Sequence, residues 1–238
     1  MKSKANFLIF ICLMAIFHFT TISCSKKNET PIIATDIDGN VYNTVKIGTQ
    51  TWMVENLKTT KYRNGDIIPN ITDGNAWATL KTGAQCSYNN DDSNVLKYGK
   101  LYNWYAMADN RNLAPVGWHI PTDVEWSELS TYVAAHPGIS DYVGKALAAK
   151  TDWNYYNLNG AVGNVMEINN STGFQALPCG LRDYFGNFIY MGMENDWWST
   201  TETQTVYAWY RYITFTNGNL IREFQFKENG KSVRCIKD

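Results

Sequence analysis

Cysteine and histidine side chains are the first candidates for nucleophilic or metal chemistry in this 238-residue chain. Beyond residue 24 the only histidines are His119 and His136. Two histidines make a histidine-based metal site or a catalytic triad an unfavoured prediction. The same part of the chain contains Cys86, Cys179 and Cys235. An exported domain with three cysteines would form one disulfide and leave one thiol, and the spacing leaves the pairing open.

Carboxylates are numerous, but no motif singles out the converging pair that glycoside hydrolysis requires. Asp36-Ile37-Asp38-Gly39-Asn40 begins like a calcium loop. A β-type run follows where an EF-hand needs further ligands, so we predict a turn there. Asp91 and Asp92 lie in the polar cluster 89–94, which we predict to be a solvated turn. A calcium site is the alternative, because exported domains often gain stability from clustered carboxylate and amide oxygens.

The N-terminal residues predict an exported, lipid-anchored protein. Lys2 and Lys4 precede a 13-residue apolar run, residues 7–19, which is shorter than the ~20 residues of a membrane-spanning helix. Cys24 follows a small residue after this run, as in the bacterial lipobox, where cleavage before the cysteine precedes its acylation. An ordinary cleavage site that contains a cysteine is the alternative. We predict attachment to a membrane of the cell envelope through these acyl chains, with the leaflet left open.

The predicted domains are a signal peptide over residues 1–23, a flexible tether over residues 24–34 and one folded domain over residues 35–238. The tether is polar and without periodicity, whereas the remaining length suits one large domain. The net charge of −1 provides no basic face for nucleic acid. We therefore expect no nucleic-acid partner and, without a recognisable motif, no cofactor or metal.

Local patterns predict helices followed by strands. Thr122 and Glu125 match a capping box, which predicts a helix that begins at Asp123. The other predicted helices cover residues 98–108 and 141–149. The predicted strands cover residues 41–47, 51–54, 174–182, 188–191, 196–201, 207–215, 220–226 and 231–236. Asn217-Gly218 and Asn229-Gly230 predict tight hairpin turns. Because helices precede an antiparallel meander, the predicted fold class is α+β.

Six segments of the chain carry a family resemblance. They are residues 38–42, 45–57, 98–104, 117–126, 197–202 and 232–235. Together, and in this order, they resemble the Fibrobacter succinogenes major paralogous domain family over about residues 35–238. That family is similar to the formylglycine-generating enzyme group and, through it, to the C-type lectin fold. The resemblance implies a twisted antiparallel sheet with two main helices and long loops.

Two departures from the family pattern concern cysteine. Ala114 stands where the family usually has a cysteine, and Cys179 stands where it usually has a glycine. From this exchange we predict a disulfide between Cys179 and Cys235, which leaves Cys86 free. A Cα separation above ~7 Å would rule the disulfide out.

The resemblance also bears on catalysis. Formylglycine-generating enzymes use two closely spaced cysteines near their C-terminal end to bind copper, whereas Cys235 stands alone in that region of this chain. We therefore expect a binding module rather than an enzyme. A formylglycine-generating or glycosidase activity is the less favoured alternative.

Similarity to lectin-like domains directs the search for a ligand site to the loops and the outer face of the meander. The candidate residues are Asn195, Asp196, Trp197, Trp198, Trp209, Tyr210, Tyr212 and Arg222. Since Trp197 and Trp198 are adjacent in a strand, we expect one to face the core and the other to join Tyr210 and Tyr212 in an exposed patch. The calcium motifs of C-type lectins are absent from the sequence.

The ligand class has two interpretations. Exposed aromatic rings with Asn, Asp and Arg could stack on a glycan or anchor a protein. The alternative to ligand binding is a structural or adhesin-like subunit of an envelope or pilus assembly. A concave aromatic patch would favour a small glycan, and a flat patch would favour a protein partner.

Overall fold

The computed structural model describes residues 32–136 and 142–238. The predicted signal peptide, the predicted lipidation site Cys24 and most of the predicted tether lie outside the described residues. The same holds for residues 137–141, where the third helix was predicted to begin. Within the two described ranges, no helix combines the length and the apolar character needed to cross a membrane.

The described residues form short helices and strands joined by long irregular segments. The strands are β1 (Ala34–Thr35), β2 (Val41–Tyr42), β3 (Thr44–Ile47), β4 (Gln50–Met53), β5 (Gln85–Cys86), β6 (Leu101–Tyr102), β7 (Trp118–His119), β8 (Cys179–Arg182), β9 (Phe188–Met191), β10 (Glu194–Gln204), β11 (Tyr207–Thr214), β12 (Ile221–Phe226) and β13 (Ile236–Lys237). The α-helices are α1 (Gly74–Thr79), α2 (Val95–Tyr98), α3 (Trp104–Met107), α4 (Asp123–Ala134) and α5 (Val143–Leu147). Single turns of 3-10 helix cover Tyr88–Asn90, Asp92–Asn94 and Met166–Ile168.

Two larger sheets organise the domain. The first has the strand order β12-β11-β10-β8-β9, and its strands are antiparallel except for the parallel pair β8 and β10. The second has the order β3-β4-β13-β7, so the last strand lies between strands from the start and the middle of the domain. Strand pairs β1-β2 and β5-β6 are separate. The architecture is α+β, as predicted.

Residues 195–199 of strand β10 are covered on both faces. Trp197 and Trp198 point to opposite sides of the strand, and both side chains are 0% exposed. Trp197 packs in one apolar cluster with Trp126 of α4 and Phe174. Trp198 packs in a second cluster with Tyr102 and Tyr210. This strand therefore separates two halves of the core.

The predicted start of the central helix is confirmed. Thr122 Oγ1 accepts a hydrogen bond from the Glu125 backbone N–H at 3.2 Å. In return, Glu125 Oε2 accepts one from the Thr122 backbone N–H at 2.8 Å, which completes the capping box. Helix α4 begins at Asp123, and its core-facing residues Trp126 and Leu129 are fully buried.

The continuous helix predicted over residues 98–108 is wrong. Helix α2 ends at Tyr98 because Gly99 has φ +80°, and a Cβ there would lie 2.9 Å from the carbonyl oxygen of Leu57. The backbone N–H of Lys100 then donates to that same carbonyl, and β6 follows before α3 begins. Contact with a distant segment, which periodicity cannot show, divides the helix.

The two tight hairpin turns are also wrong. Strands β11 and β12 pair as predicted, but a six-residue loop joins Thr214 to Ile221 because Asn217 and Gly218 bind other segments. Their carbonyl oxygens accept from the backbone N–H groups of Val162 and Lys145. The predicted strand 231–236 makes single bridges to two strands, β6 and β10, and only its end joins a sheet, as β13.

Candidate functional site

A cleft of about 340 Å³ lies on one face of the five-stranded sheet. Its floor comes from β10, β11 and the segment after β12, and one wall comes from the β8–β9 turn. The polar and aromatic lining residues are Asp183, Tyr184, Phe185, Tyr190, Glu194, Asp196, Tyr210, Tyr212, Glu223, Gln225, Asn229 and Lys231. Carboxylates and tyrosine rings thus dominate the polar and aromatic surface.

A buried ion pair forms the floor of the cleft. Lys231 Nζ lies 2.5 Å from Asp196 Oδ2, and both side chains are 1% exposed. The same ammonium group lies 3.7 Å from the centroid of the Tyr210 ring, a cation–π contact. Asp196 Oδ1 is buried and accepts no hydrogen bond from the described residues. Burial raises the pKa of Asp196, and Lys231 opposes that rise.

Two tyrosines of β11 project into the cleft because they are two residues apart on one strand. The rings of Tyr210 and Tyr212 stack with centroids 5.6 Å apart and planes 22° apart. The hydroxyl of Tyr210 donates to Glu223 Oε2 at 3.0 Å, across the register that pairs Tyr210 with Glu223. Tyr210 is buried and Tyr212 is half-buried, so Tyr212 offers more ring surface to a ligand.

Glu194 is a carboxyl group with a strongly altered pKa at this site. Burial raises its pKa to about 7, and the nearby carboxylates of Asp196 and Glu223 act in the same direction. Lys231 acts in the opposite direction. Glu194 therefore changes charge near neutral pH.

The wall of the cleft is held by a turn. Asp183 Oδ1 accepts from the backbone N–H groups of Phe185 and Asn187, so this carboxylate is engaged within the turn. On the next strand, Tyr190 has φ +68° and is 45% exposed at the rim. A left-handed conformation is uncommon for a residue other than glycine and often accompanies a functional surface.

A family model described as Fibrobacter succinogenes major domain matches residues 45–237. The chain belongs to this family. The match includes every residue that lines the cleft. No curated protein and no solved structure matches the chain.

This Fibrobacter succinogenes major domain gathers only part of the predicted ligand site in the cleft. Asp196, Tyr210 and Tyr212 line it together. The exposed tryptophan expected beside these tyrosines is absent, because both faces of β10 are covered over residues 195–199. Trp198 is instead buried, and its indole N–H donates to the Tyr102 carbonyl oxygen at 3.0 Å.

Asn195 and Trp197 are also fully buried. The indole N–H of Trp197 donates to Asn56 Oδ1 at 2.9 Å. Asn195 Oδ1 accepts from the thiol of Cys179 at 2.9 Å. These two predicted ligand residues therefore connect segments of the core.

Trp209 and Arg222 lie on the opposite face of the sheet. The Arg222 guanidinium is centred 3.3 Å from the Trp209 ring centroid, and it donates to both carboxylate oxygens of Asp123. Arg211 donates to the same carboxylate. These arginines fasten the start of α4 to the sheet, a role that the sequence pattern did not indicate.

The predicted Cys179–Cys235 disulfide does not form in this structure, where both residues are free thiols. Cys179 Sγ lies 3.0 Å from Ser232 Oγ and donates to Asn195, whereas Cys235 packs in the apolar core cluster. Burial raises the pKa of the Cys179 thiol to about 12, which disfavours the reactive thiolate. Cys86, predicted to be free, is free and buried.

Asp91 and Asp92 lie away from the cleft. Asp91 Oδ1 accepts from the Ser93 backbone N–H at 2.9 Å, as a cap of the 3-10 turn. Asp92 Oδ1 lies 3.4 Å from Lys100 Nζ. In residues 32–136 and 142–238, no three histidine, cysteine or acidic side chains form a group suited to a metal ion.

Glu223, Lys231 and Tyr190 were missed by sequence reasoning. Glu223 had a usable signal, since pairing β11 with β12 places it opposite Tyr210 on the same face. Lys231 reaches the floor through bridges made by an irregular segment, and Tyr190 is placed at the rim with an unusual φ. Neither position has a periodic signature in the sequence.

His119 gives the stability of this domain a pH dependence. Burial lowers its pKa, but its ring nitrogens lie 2.8 Å from Glu125 and 2.7 Å from Asp238, and the net effect raises the pKa. The stabilisation is complete below about pH 6.5, the ordinary value for unfolded histidine, and is lost as pH rises through the folded value. Because the side chain is 37% exposed, we expect less than about 1 kcal/mol.

Urea unfolding measured on both sides of this range tests the prediction. The wild-type free energy of unfolding should fall between about pH 6 and about pH 9, and the His119→Asn variant should show a smaller fall. If the free energy of unfolding falls equally in wild type and in His119→Asn, groups other than His119 cause the pH dependence.

Proposed function

We propose that this domain binds a glycan in the cleft and leaves it chemically unchanged. The observation that carries the proposal is the concave arrangement of tyrosine rings beside carboxylates. Ring faces of Tyr190 and Tyr212 can cover the C–H surface of a sugar, while the exposed carboxylate of Glu223 can accept hydrogen bonds from its hydroxyl groups. The cleft volume of about 340 Å³ lies in the usual range for small-ligand sites.

The proposed setting is the cell envelope, on a protein anchored through acyl chains at Cys24. The N-terminal lysines, the short apolar run and the cysteine that follows it support this part of the proposal. A C-type-lectin-like fold is also proposed. Mostly antiparallel strands, the packing of α4 against α5 and the long irregular segments support it.

A structural or adhesin-like subunit is the second candidate function. The observation in its favour is an aromatic strip on the face opposite the cleft, formed by Tyr207, Trp209 and Phe224. Phe224 is 48% exposed on the edge strand β12. Exposed aromatic side chains on a sheet face suit a protein partner.

A glycan array followed by calorimetry tests glycan binding. The protein for both is the predicted mature chain, which begins at Cys24. We expect a defined sugar to bind, and the Tyr212→Ala variant to bind it roughly tenfold more weakly because a stacking ring is lost. The matched control is Phe224→Ala, which removes a ring from the opposite face and should leave sugar affinity unchanged.

The other outcomes separate the alternatives. A protein partner lost with Phe224→Ala, together with no sugar hits, would favour the structural subunit. Glu194, with its raised pKa, has the property of a general acid in glycoside hydrolysis. Cleavage of the bound sugar that stops in a Glu194→Gln variant would therefore replace the binding proposal with a hydrolase.

A further inference from the structure

We propose that the cleft selects a glycan with a free, protonated amino group over its neutral and N-acetylated counterparts. This inference rests on the proposed function and names the ligand class of the same site. Three independent features of the cleft carry it: an excess of carboxylates, an unpartnered buried oxygen and ring faces open to a cation.

The charge of the cleft is negative. Among residues 32–136 and 142–238, Lys231 is the one lysine or arginine that lines the cleft, and its ammonium group pairs with Asp196. Glu194 and Glu223 form no ion pair within residues 32–136 and 142–238. Two carboxylates thus remain for a cationic ligand group, and a charge-assisted hydrogen bond to either would exceed a neutral one in strength.

The floor of the cleft contains a buried acceptor without a donor. Lys231 occupies Asp196 Oδ2, while Asp196 Oδ1 is buried and has no hydrogen-bond partner in the described part of the chain. An unsatisfied buried carboxylate oxygen costs free energy that a donor from a ligand would recover. An ammonium group supplies three N–H donors and no acceptor, so it fits an acidic floor better than an acetamide does.

The rings add to the preference for a cation. The cleft already holds one ammonium group, that of Lys231, 3.7 Å from the Tyr210 ring centroid. The half-buried Tyr212 and the exposed Tyr190 present further rings at the opening of the cleft. A sugar ammonium group near these rings would gain both cation–π attraction and proximity to Glu194 and Glu223.

Protonation of Glu194 should then be linked to binding. The charged or titratable groups of the surrounding elements are Asp196, Tyr210, Tyr212, Glu223 and Lys231, with Asp183, Tyr184 and Tyr190 from the wall. Burial and the neighbouring carboxylates raise the Glu194 pKa to about 7, and a bound cation would lower it again. Binding at about pH 6, where the sugar amine is already protonated and Glu194 is still mostly neutral, should therefore release a fraction of a proton.

Calorimetry with three tetrasaccharides tests the inference on the mature domain. The probes are the β-1,4-linked tetramers of glucosamine, of N-acetylglucosamine and of glucose. We expect the glucosamine tetramer to bind at least roughly tenfold more tightly than the other two, with proton release in buffers of different ionisation enthalpy. Glu223→Gln should remove most of this preference, and circular dichroism checks that the variant is folded.

Glu167→Gln is the matched control, since it removes an exposed carboxylate outside the cleft and should leave the preference intact. If Glu223→Gln and Glu167→Gln lose the preference for the glucosamine tetramer equally, the attraction of a polycation is non-specific and the inference is overturned. Equal affinity for all three tetramers would overturn the amine preference and leave glycan binding standing. If no tetramer binds, the inferred selection of an amino-bearing glycan is overturned. The glycan array then still tests whether the domain binds any glycan.

Discussion

A Lys231→Met substitution should lower the free energy of unfolding by about 3–5 kcal/mol. The ammonium group is the ion-pair partner of Asp196, and both side chains are 1% exposed. Removing the cation leaves a buried carboxylate without a compensating charge, and the Lys231 Nζ contact with the Tyr210 ring is lost as well. The variant should unfold at a clearly lower denaturant concentration than wild type.

A double variant shows whether the lost pairing is the cause. Asp196→Asn in the Lys231→Met background replaces the stranded carboxylate with a neutral amide, so most of the lost stability should return. Denaturant unfolding of wild type, both single variants and the double variant gives the coupling free energy. If the losses of unfolding free energy in the two single variants simply add in the double variant, Lys231 and Asp196 do not form a coupled ion pair.

Trp126→Ala should also lower the free energy of unfolding by about 3–5 kcal/mol, because it removes a large buried ring from a packed cluster. The Trp126 centroid lies 4.7 Å from that of Trp52, 5.7 Å from that of Trp197 and 6.1 Å from that of Phe174. The cavity would lie between α4 and the two sheets, where several elements restrict collapse. Thermal and denaturant unfolding both measure this loss.

Trp126→Phe is the informative control, compared with Trp197→Phe in the same cluster. Trp126 Nε1 has no hydrogen-bond partner among the described residues, whereas Trp197 Nε1 donates to Asn56 Oδ1. Replacing Trp126 removes an unsatisfied donor, but replacing Trp197 leaves an acceptor without its donor. Trp126→Phe should therefore lower the free energy of unfolding by less than Trp197→Phe does. The reverse order would contradict the hydrogen bonding described for the two indole groups.

Local chemistry explains which parts of the fold could be predicted. The α4 capping box depends on contacts within four residues, and the sequence located its start at Asp123. Strand β11 also follows from local alternation. The division of residues 98–108 depends on contact between Gly99 and residues 56–57, which lie more than 40 positions away. Periodicity carries no information about such a contact.

The candidate site was predicted only in part, because alternation along a strand is visible in the sequence and tertiary contacts are not. Alternation placed Tyr210 and Tyr212 on one face of β11, and the structure has them together in the cleft. Alternation also implies opposite directions for Trp197 and Trp198, but it does not reveal that another layer covers the second face. Lys231 enters the floor through an irregular segment, so its pairing with Asp196 required the tertiary structure.

The position of β13 has a consequence for when the domain acquires its structure. Ile236 pairs with Trp52 on one side and with His119 on the other, so the second sheet joins segments separated by about 180 residues. Ribosomal synthesis must deliver almost the whole domain before this sheet can close, and pairings of such high contact order form slowly. The second sheet therefore stays incomplete until translation of the domain is almost finished.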